Sequence, residues 1–588
     1  MRISLFVLNR VAAALALIGL LLGPVSSARA DETNSSVSSL RAPIDILGDL
    51  GIDANNVGVV LDSSFTNPLS HVSRQSGSVI SLCADLTESA CPRTASSNLS
   101  YVFLGAHLIL GKCERDTDIG CIENIKVSLA GGELKDLIYV ESVVKNLPSI
   151  PQNSELNTPR GEFPSLWRSS SGELYLVKFI THFSFAFPED EDQPSLRTGS
   201  PTAELSVSRI QIVSGTYQLP YLRTRGKSYE SSSGGCGFVD ISTLTSCYQT
   251  IPFELQTRIN ATVRLPKSVS GWMHGRISNP TISSSKTSNG QMEYQIEGDV
   301  SPTYVAGGLV PSTAMFEYLE QWNMGSAVRP GAIANTDPAG AVPYLKAFNQ
   351  YIGNNALTTQ NLWIVKSTGS INPIYTGGSG AGNCMRQISG FVGIVSTNAA
   401  AYDAEPPVWD NVSGVLSYKV ASPHFDENGI EAVGSFSLAI PTLVAQCLYG
   451  DSALPATVPI EVGYGKVATP TTQVVAITRD ENWIRFTASG FHFSNPTIKV
   501  KLGIASKFKV HTTTKMRTKS LSSLATIAKL EVGKGAKLTG SVYETSKSTC
   551  SISKNNILTR TKKGLCQIVL SSSKGKTVIR KIVLISFN

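Results

Sequence analysis

Ten cysteines constrain this chain more than any other feature, because they fall along it as five sequential pairs. An even count in an exported chain favours disulfides, and short loops close most readily, since their ends are rarely far apart. Sequential pairing is therefore predicted, although the sequence leaves the connectivity open. Metal binding would require C-x-x-C clusters or interleaved histidines, and neither occurs. The predicted pairs are Cys83 with Cys91, Cys113 with Cys121, Cys236 with Cys247, Cys384 with Cys447, and Cys550 with Cys566.

The first thirty residues have the three parts of a secretory signal peptide. Arg2 and Arg10 give a positive start, residues 11–22 form an apolar run, and residues 27–30 offer small side chains for cleavage. An uncleaved anchor is the alternative. Cleavage near Ala30 predicts a mature protein that is secreted or lies at the cell surface, with no membrane span in the mature chain.

The composition favours β-structure. Charged residues make up 16% of the chain, below the globular average of about 25%, and serine and threonine supply much of the polarity, as suits the solvent faces of strands. The predicted fold class is mainly β, with several sandwich-like domains, a short helical insertion and disulfide staples. Strands are predicted where β-branched residues or alternation are bounded by Gly, Ser or Pro, for example over 173–179, 203–212 and 258–265.

Shifts in composition and periodicity divide the chain into predicted segments. Residues 148–164, rich in proline and polar residues, are predicted to be a linker. A three-to-four-residue spacing of apolar side chains predicts two helices within 312–355. The predicted segments are the signal peptide 1–30, a flexible leader 31–42, a disulfide-containing β domain 43–160, a β domain 165–310, the helical insertion 311–360, a β domain 361–502 and a basic β domain 505–588.

The last segment carries a resemblance. Residues 524–528, the Gly-Lys-Gly stretch 533–537 and a cysteine pair ahead of a Lys-Gly-Lys hairpin resemble the C-terminal immunoglobulin-like modules of secreted actinobacterial proteins. Upstream, residues 270–276 and 422–429 resemble uncharacterised exported proteins of the same group. The length of 505–588 fits a small sandwich of some seven short strands, and the resemblance implies an immunoglobulin-like architecture and no activity. The spacing of its cysteines is too short for the inter-sheet bridge of antibody domains.

Three features of the sequence partly resemble functional sites: a glycine-rich loop, groups of acidic residues and a cluster of His, Asp and Glu. The glycine-rich loop 377–382 lacks both the second glycine of a nucleophile elbow and the Gly-Lys-Ser/Thr end of a phosphate loop, so a plain loop is predicted. The acidic run 189–192, and Asp116 with Asp118, have the oxygen ligands that Ca²⁺ prefers, but neither matches a calcium loop, so solvated acidic turns are predicted.

His424, Asp426 and Glu427 are the residues most similar to a catalytic cluster, but general acid–base catalysis needs a positioned partner and a pocket. A surface turn is predicted there instead. No catalytic residue, cofactor or metal ligand is predicted anywhere in the chain.

The distribution of charge is the strongest functional clue. Residues 501–588 contain 18 Lys and Arg and only two acids, Glu531 and Glu544, a net charge of +16 in a chain whose total is +7. Such asymmetry predicts an anionic partner for 505–588, namely a cell-wall polymer or an acidic polysaccharide rather than nucleic acid. The competing interpretation is that the lysines protect strand edges against aggregation.

Together these features predict a non-enzymatic, exported binding or structural protein of the cell envelope. Two alternatives stay open: an extracellular hydrolase or carbohydrate-active enzyme with an unrecognised site, and a ligand-binding protein with a cleft beside the helices of 312–355. A pair of carboxylates in a deep pocket would favour the enzyme.

Overall fold

A computed structural model of the chain shows a mainly β protein. It describes residues 56–61, 69–76, 79–93, 101–129, 131–145, 147–188, 201–216, 222–224, 227–229, 236–239, 243, 245–266, 268–311, 331–334, 342, 345, 351, 353–367, 390–402, 407–410, 415–449, 460–464, 471–473, 475–479, 483–493, 496–501, 509–514, 517–528, 530, 532, 535–542, 549–553, 555–574 and 577–587.

The strands of the first part of the chain, up to residue 334, include the longest ones. They are β1 (Asn56–Leu61), β2 (His71–Ser76), β3 (Val79–Cys83), β4 (Tyr101–Ile109), β5 (Cys121–Ser128), β6 (Lys135–Asp136), β7 (Ile138–Ser142), β8 (Ser165–Arg168), β9 (Leu174–Pro188), β10 (Thr202–Ser214), β11 (Leu222–Thr224), β12 (Lys227–Tyr229), β13 (Cys236–Val239), β14 (Ser246–Thr250), β15 (Arg258–Leu265), β16 (Gly271–Lys286), β17 (Met292–Pro311) and β18 (Gly331–Ala334).

The second part holds shorter strands and two helices. They are β19 (Thr358–Leu362), β20 (Ile364–Ser367), β21 (Phe391–Thr397), β22 (Ala401–Tyr402), β23 (Val408–Asp410), β24 (Val415–Ala421), β25 (Val433–Pro441), α1 (Thr442–Tyr449), β26 (Ile460–Tyr464), β27 (Thr471–Gln473), β28 (Val475–Arg479), β29 (Trp483–His492), β30 (Pro496–Lys501), β31 (Lys509–Thr514), β32 (Thr518–Ser520), α2 (Leu521–Ile527), β33 (Lys537–Val542), β34 (Cys550–Ile552), β35 (Ile557–Arg560), β36 (Gly564–Lys574) and β37 (Thr577–Phe587). Among the described residues no helix is long and apolar enough to cross a membrane.

Two sheets enclose the main core. The long sheet has the strand order β3-β2-β4-β9-β10-β20-β16-β21-β25-β29-β28, antiparallel except for the pair β16–β21. The short sheet has the order β6-β5-β15-β17-β16, because β16 continues from one sheet into the other. Alternate side chains point to one face of a strand, so Phe179 and Val207 of the long sheet meet Ile125, Ile259 and Ile296 of the short one.

A second core lies on the opposite face of the long sheet, where β16, β21, β25 and β29 pack on a third sheet of order β22-β24-β30-β26-β27. Trp272 and Phe436 of the long sheet contact Tyr418 and Val420 of β24 in this core. Gly393 must stay a glycine for the packing to hold, because a Cβ there would come within 2.3 Å of the Trp272 ring.

The C-terminal module, residues 509–587, has a core of its own. One sheet has the order β31-β37-β36-β33 and the other β32-β35-β34, and the seven strands match the number predicted for this segment. Leu524 of α2 packs between the sheets with Leu558, Leu570 and Val583. The helix begins after Ser520, whose hydroxyl accepts a hydrogen bond from the Ser523 N–H at 3.2 Å, an N-cap.

Three of the predicted disulfides are present. They join Cys83 to Cys91, Cys113 to Cys121, and Cys550 to Cys566. Cys247 is disulfide-bonded as well, and no cysteine in the described residues is free. The prediction for Cys384 and Cys447 rests on side chains that lie outside the described residues.

Several predicted strands are confirmed, and β15 has the predicted ends. The strand predicted over 173–179 is too short, because β9 runs to Pro188. The stretch 148–164 packs on the protein instead of forming a linker: Thr158 is fully buried, and Ile150 pairs with Gly161. Proline and polar residues mark irregular backbone, but they do not determine whether it is exposed.

The predicted segments share sheets. Strand β4 pairs with β9 across the boundary near 160, and β16 pairs with β21 across the helical insertion. Of the insertion, Val342, Leu345 and Tyr351 are helical, and Leu345 is fully buried. The signal peptide, the leader and the first predicted helix, which carries Met315, Leu319 and Trp322, lie outside the described residues. The domain boundaries stay predictions.

Candidate functional site: the basic end of the C-terminal module

Five cationic residues lie near the point where β32 begins and β35 ends. The two strands pair in antiparallel fashion, and the Arg560 N–H donates to the Arg517 carbonyl at 2.8 Å. Lys562 and Lys563 follow at once, in the bend that leads from β35 to β36. We call this cluster the basic end. It consists of Arg517, Lys519, Arg560, Lys562 and Lys563.

The charges of the basic end face solvent to different degrees. Arg517, Lys562 and Lys563 are exposed, whereas Lys519 and Arg560 are half-buried. Lys519 lies opposite the buried Leu558, so its aliphatic stem extends the core face of the strand, as long basic side chains commonly do.

Arg517 and Arg560 are joined through their backbones at this point, so two like charges start from neighbouring positions, an arrangement that by itself is repulsive. The two acidic residues of the segment, Glu531 and Glu544, have side chains outside the described residues, so the described side chains of the module include no carboxylate.

The positions of the cations bear on the edge-protection interpretation. Lys509 lies on β31 and Lys537 on β33, the two edge strands of the four-stranded sheet, where lysine discourages further strand pairing. Arg560 lies on β35, the central strand of the three-stranded sheet, and Lys562 and Lys563 lie in a bend. Lys519 lies on β32, an edge strand of the three-stranded sheet. Edge protection therefore accounts for these three lysines but not for Arg560, Lys562 and Lys563.

The predicted acidic cluster of Asp116 and Asp118 is split by the structure. Asp118 is buried and accepts from the backbone N–H groups of Glu114 and Arg115 at 2.9 and 3.0 Å. Burial opposes its ionisation, but these donors and the charges of Arg160 and Arg115 outweigh it and lower the pKa of Asp118. The Asp116 side chain is exposed. Asp118 therefore stabilises the turn inside the Cys113–Cys121 loop, and the prediction of a solvated acidic turn is wrong for this residue.

His424, Asp426 and Glu427 form a turn, as predicted. Asp426 Oδ1 accepts from the N–H groups of Asn428 and Ile430, each at 2.8 Å, and Glu427 accepts from the Thr359 hydroxyl at 2.7 Å. Within the described residues neither carboxylate contacts the His424 ring, so the three residues are not assembled for proton transfer.

The glycine-rich loop 377–382 and the acidic run 189–192 lie outside the described residues. In the part of the chain that the structure describes, no group of three or more His, Cys, Asp or Glu side chains is arranged to hold a metal ion.

A row of buried polar side chains across the long sheet was missed at the sequence level. Glu204, Lys366 and His274 occupy directly opposite positions on β10, β20 and β16, and Lys366 Nζ lies 3.6 Å from Glu204 Oε2. His274 Nδ1 is hydrogen-bonded to the Tyr418 hydroxyl at 2.5 Å. The only sign of this row in the sequence was that polar residues occur at alternate positions of otherwise apolar strands.

Arg276 lies on the same face and joins two sheets. Its guanidinium donates to the carbonyls of Thr397, Ala399 and Ala400 and stacks 4.6 Å from the centre of the Tyr402 ring. A planar fork of donors suits several carbonyls at once, so this residue fixes the chain where β21 leads into β22.

Comparison with known proteins adds little. No family model and no curated protein matches the chain. The solved structure of invasin, a bacterial integrin-binding protein, aligns with 84% of this chain and 78% of its own, at 8% identity and a TM-score of 0.08. A score this low carries no argument about fold or function.

Proposed function

We propose that this chain is an exported, non-enzymatic binding or structural protein of the cell envelope, whose module 505–588 contacts an anionic cell-wall polymer or an acidic polysaccharide through the basic end. The observation that carries the proposal is the placement of Arg560, Lys562 and Lys563 together, away from sheet edges. A repeating polyanion would contact several of these cations at once.

The disulfides support the exported part of the proposal, because such bonds persist in oxidising compartments. The predicted signal peptide at 1–30 would direct the chain to the export machinery. The net charge of +16 on 501–588, against −9 on residues 1–500, supports contact through the C-terminal module rather than through the rest of the chain.

Two double variants that remove the same charge test the site. We expect Lys562→Gln with Lys563→Gln to weaken binding to an acidic polysaccharide about fivefold at low salt, since exposed ion pairs contribute about 0.2–1 kcal/mol each. The control, Lys509→Gln with Lys537→Gln, removes edge-strand charges and is expected to change affinity less than twofold.

Binding is measured by titrating the polysaccharide into the purified protein at low and at physiological salt. If the basic-end variant binds as tightly as the unmodified protein, the basic end is not the contact. If both variants aggregate and neither loses affinity, the lysines serve only to protect the sheets.

A further inference from the structure

The outer face of the three-stranded sheet β32-β35-β34 carries a row of hydroxyls. Leu558 of β35 packs in the core of the module, and successive side chains of a strand point to opposite faces, so Thr559 points outward. Thr518 of β32 and Ser551 of β34 lie directly opposite Thr559, one on each side of it. Opposed side chains share a face and are about 5 Å apart, so the three hydroxyls of three strands form one row.

This row is accessible from solvent. Thr518 and Ser551 are exposed, and Thr559 is half-buried. Ile557, two residues before Thr559 and on the same face, is 39% exposed. A sugar ring presents both hydroxyl groups and apolar C–H groups, so hydroxyls beside an exposed aliphatic side chain are a combination that it can contact.

The hydroxyl row borders the basic end. Arg517 comes immediately before Thr518, and Arg560 immediately follows Thr559. The hydrogen bond from the Arg560 N–H to the Arg517 carbonyl keeps the two strands together at this point. A polymer that lies along the row therefore passes within one residue of cations on two strands.

The combination of hydroxyls and cations indicates which kind of polyanion fits. A chain of phosphates offers only acceptor oxygens, and lysine binds these as a point charge without the help of a sheet face. An acidic polysaccharide carries carboxylates beside hydroxyls that donate and accept hydrogen bonds, as the hydroxyls of Ser and Thr do. It is therefore the polymer that can use both parts of the surface.

We infer that Thr518, Thr559 and Ser551 form one binding surface with the basic end, and that its ligand is an acidic polysaccharide. The hydroxyls contact the sugar units, and the cations contact the carboxylates. The inference rests on the proposed function, and it adds the class of polymer and three further contact residues.

Titrating polygalacturonate and inorganic polyphosphate separately into the purified protein at low salt tests the inference. In the triple variant Thr518→Val, Thr559→Val and Ser551→Ala we expect the affinity for polygalacturonate to fall at least about fivefold, because three hydrogen-bonding groups are lost. The affinity for polyphosphate should change by less than about twofold, since no charge is removed. Valine suits strand positions, and circular dichroism checks that the variant is folded.

The matched control is Thr539→Val with Ser541→Ala, which removes two exposed hydroxyls of β33 in the other sheet of the module and should leave both affinities unchanged. The inference is overturned if the triple variant keeps its affinity for polygalacturonate while Lys562→Gln with Lys563→Gln lowers it. In that case the basic end binds charge alone, and the proposed function stands. Equal losses for both polymers in the triple variant would also overturn the inference. If the unmodified protein binds neither polymer, the proposed function fails with it.

Discussion

Replacing Arg276 with methionine is expected to lower the free energy of unfolding by about 3–5 kcal/mol, because several buried backbone carbonyls lose a charged hydrogen-bond donor. Three carbonyls, those of Thr397, Ala399 and Ala400, depend on this guanidinium. The side chain is almost completely buried, at 1% exposed, so water does not replace the lost donors. Urea unfolding followed by tryptophan fluorescence measures the change.

Two further variants separate the donor geometry from charge and bulk. Arg276→Lys keeps the charge but not the planar fork, so we expect a loss of about 2 kcal/mol or more. Arg168→Met removes an exposed arginine of β8 and should change stability by less than about 0.5 kcal/mol. If Arg276→Met is no more harmful than Arg168→Met, Arg276 does not hold the junction of the two sheets.

Acid is expected to destabilise the protein through His274. Burial, together with the charges of Arg276 and Lys366, lowers the pKa of His274 to about 3, from 6.5 in the unfolded chain. Between these two values the unfolded chain binds a proton that the folded chain does not bind. The stability contributed by the neutral ring is therefore complete above pH 6.5 and is lost as the pH falls, by about 1.4 kcal/mol per unit.

The variant His274→Asn isolates this effect, because its amide replaces Nδ1 without titrating. Between pH 7 and pH 4.5 we expect the unmodified protein to lose about 2–3 kcal/mol more than the variant does. His492→Asn, at an exposed histidine that lies 2.9 Å from Glu431, serves as the control and should keep the acid sensitivity. Equal losses in the unmodified protein and in His274→Asn would mean that the buried ring does not resist protonation.

Much of the fold was predictable from local patterns. Alternation in the segment from Arg258 to Leu265 gave a strand with the observed ends, and the close spacing of cysteines predicted the bonds 83–91 and 113–121. These features depend on neighbours in sequence, where strand periodicity and short loops leave few alternatives. The number of strands in the last module was predicted from its length, and its described residues form seven.

The long-range features were not predictable. The pairing of β4 with β9 and of β16 with β21 depends on which distant strands meet, and no local pattern encodes that choice. Three histidines illustrate the limit: His71, His107 and His182 occupy directly opposite positions on β2, β4 and β9 but share no motif. Similarly, Lys366 and Glu204 are more than 160 residues apart and meet only through β20 and β10.

The charge of the candidate site was predictable from the sequence, but the positions of its cations were not. The excess of lysine and arginine after residue 500 is evident from the sequence, and it gave the predicted anionic partner. The sequence did not indicate which cations lie at edges. Only strand order separates Lys509 and Lys537, on edge strands, from Arg560 on a central strand.

The central claim is that the C-terminal module holds the protein on an anionic polymer, and sedimentation with purified cell-wall fragments tests it most directly. The full chain is compared with a chain truncated after Ser506, across a range of salt concentrations. Exposed charges are screened within about 8 Å at physiological salt, so we predict that the full chain sediments with the fragments at low salt and is released as salt rises, while the truncated chain stays in solution throughout. Sedimentation of the truncated chain to the same extent, or retention of the full chain that salt does not alter, would contradict the account.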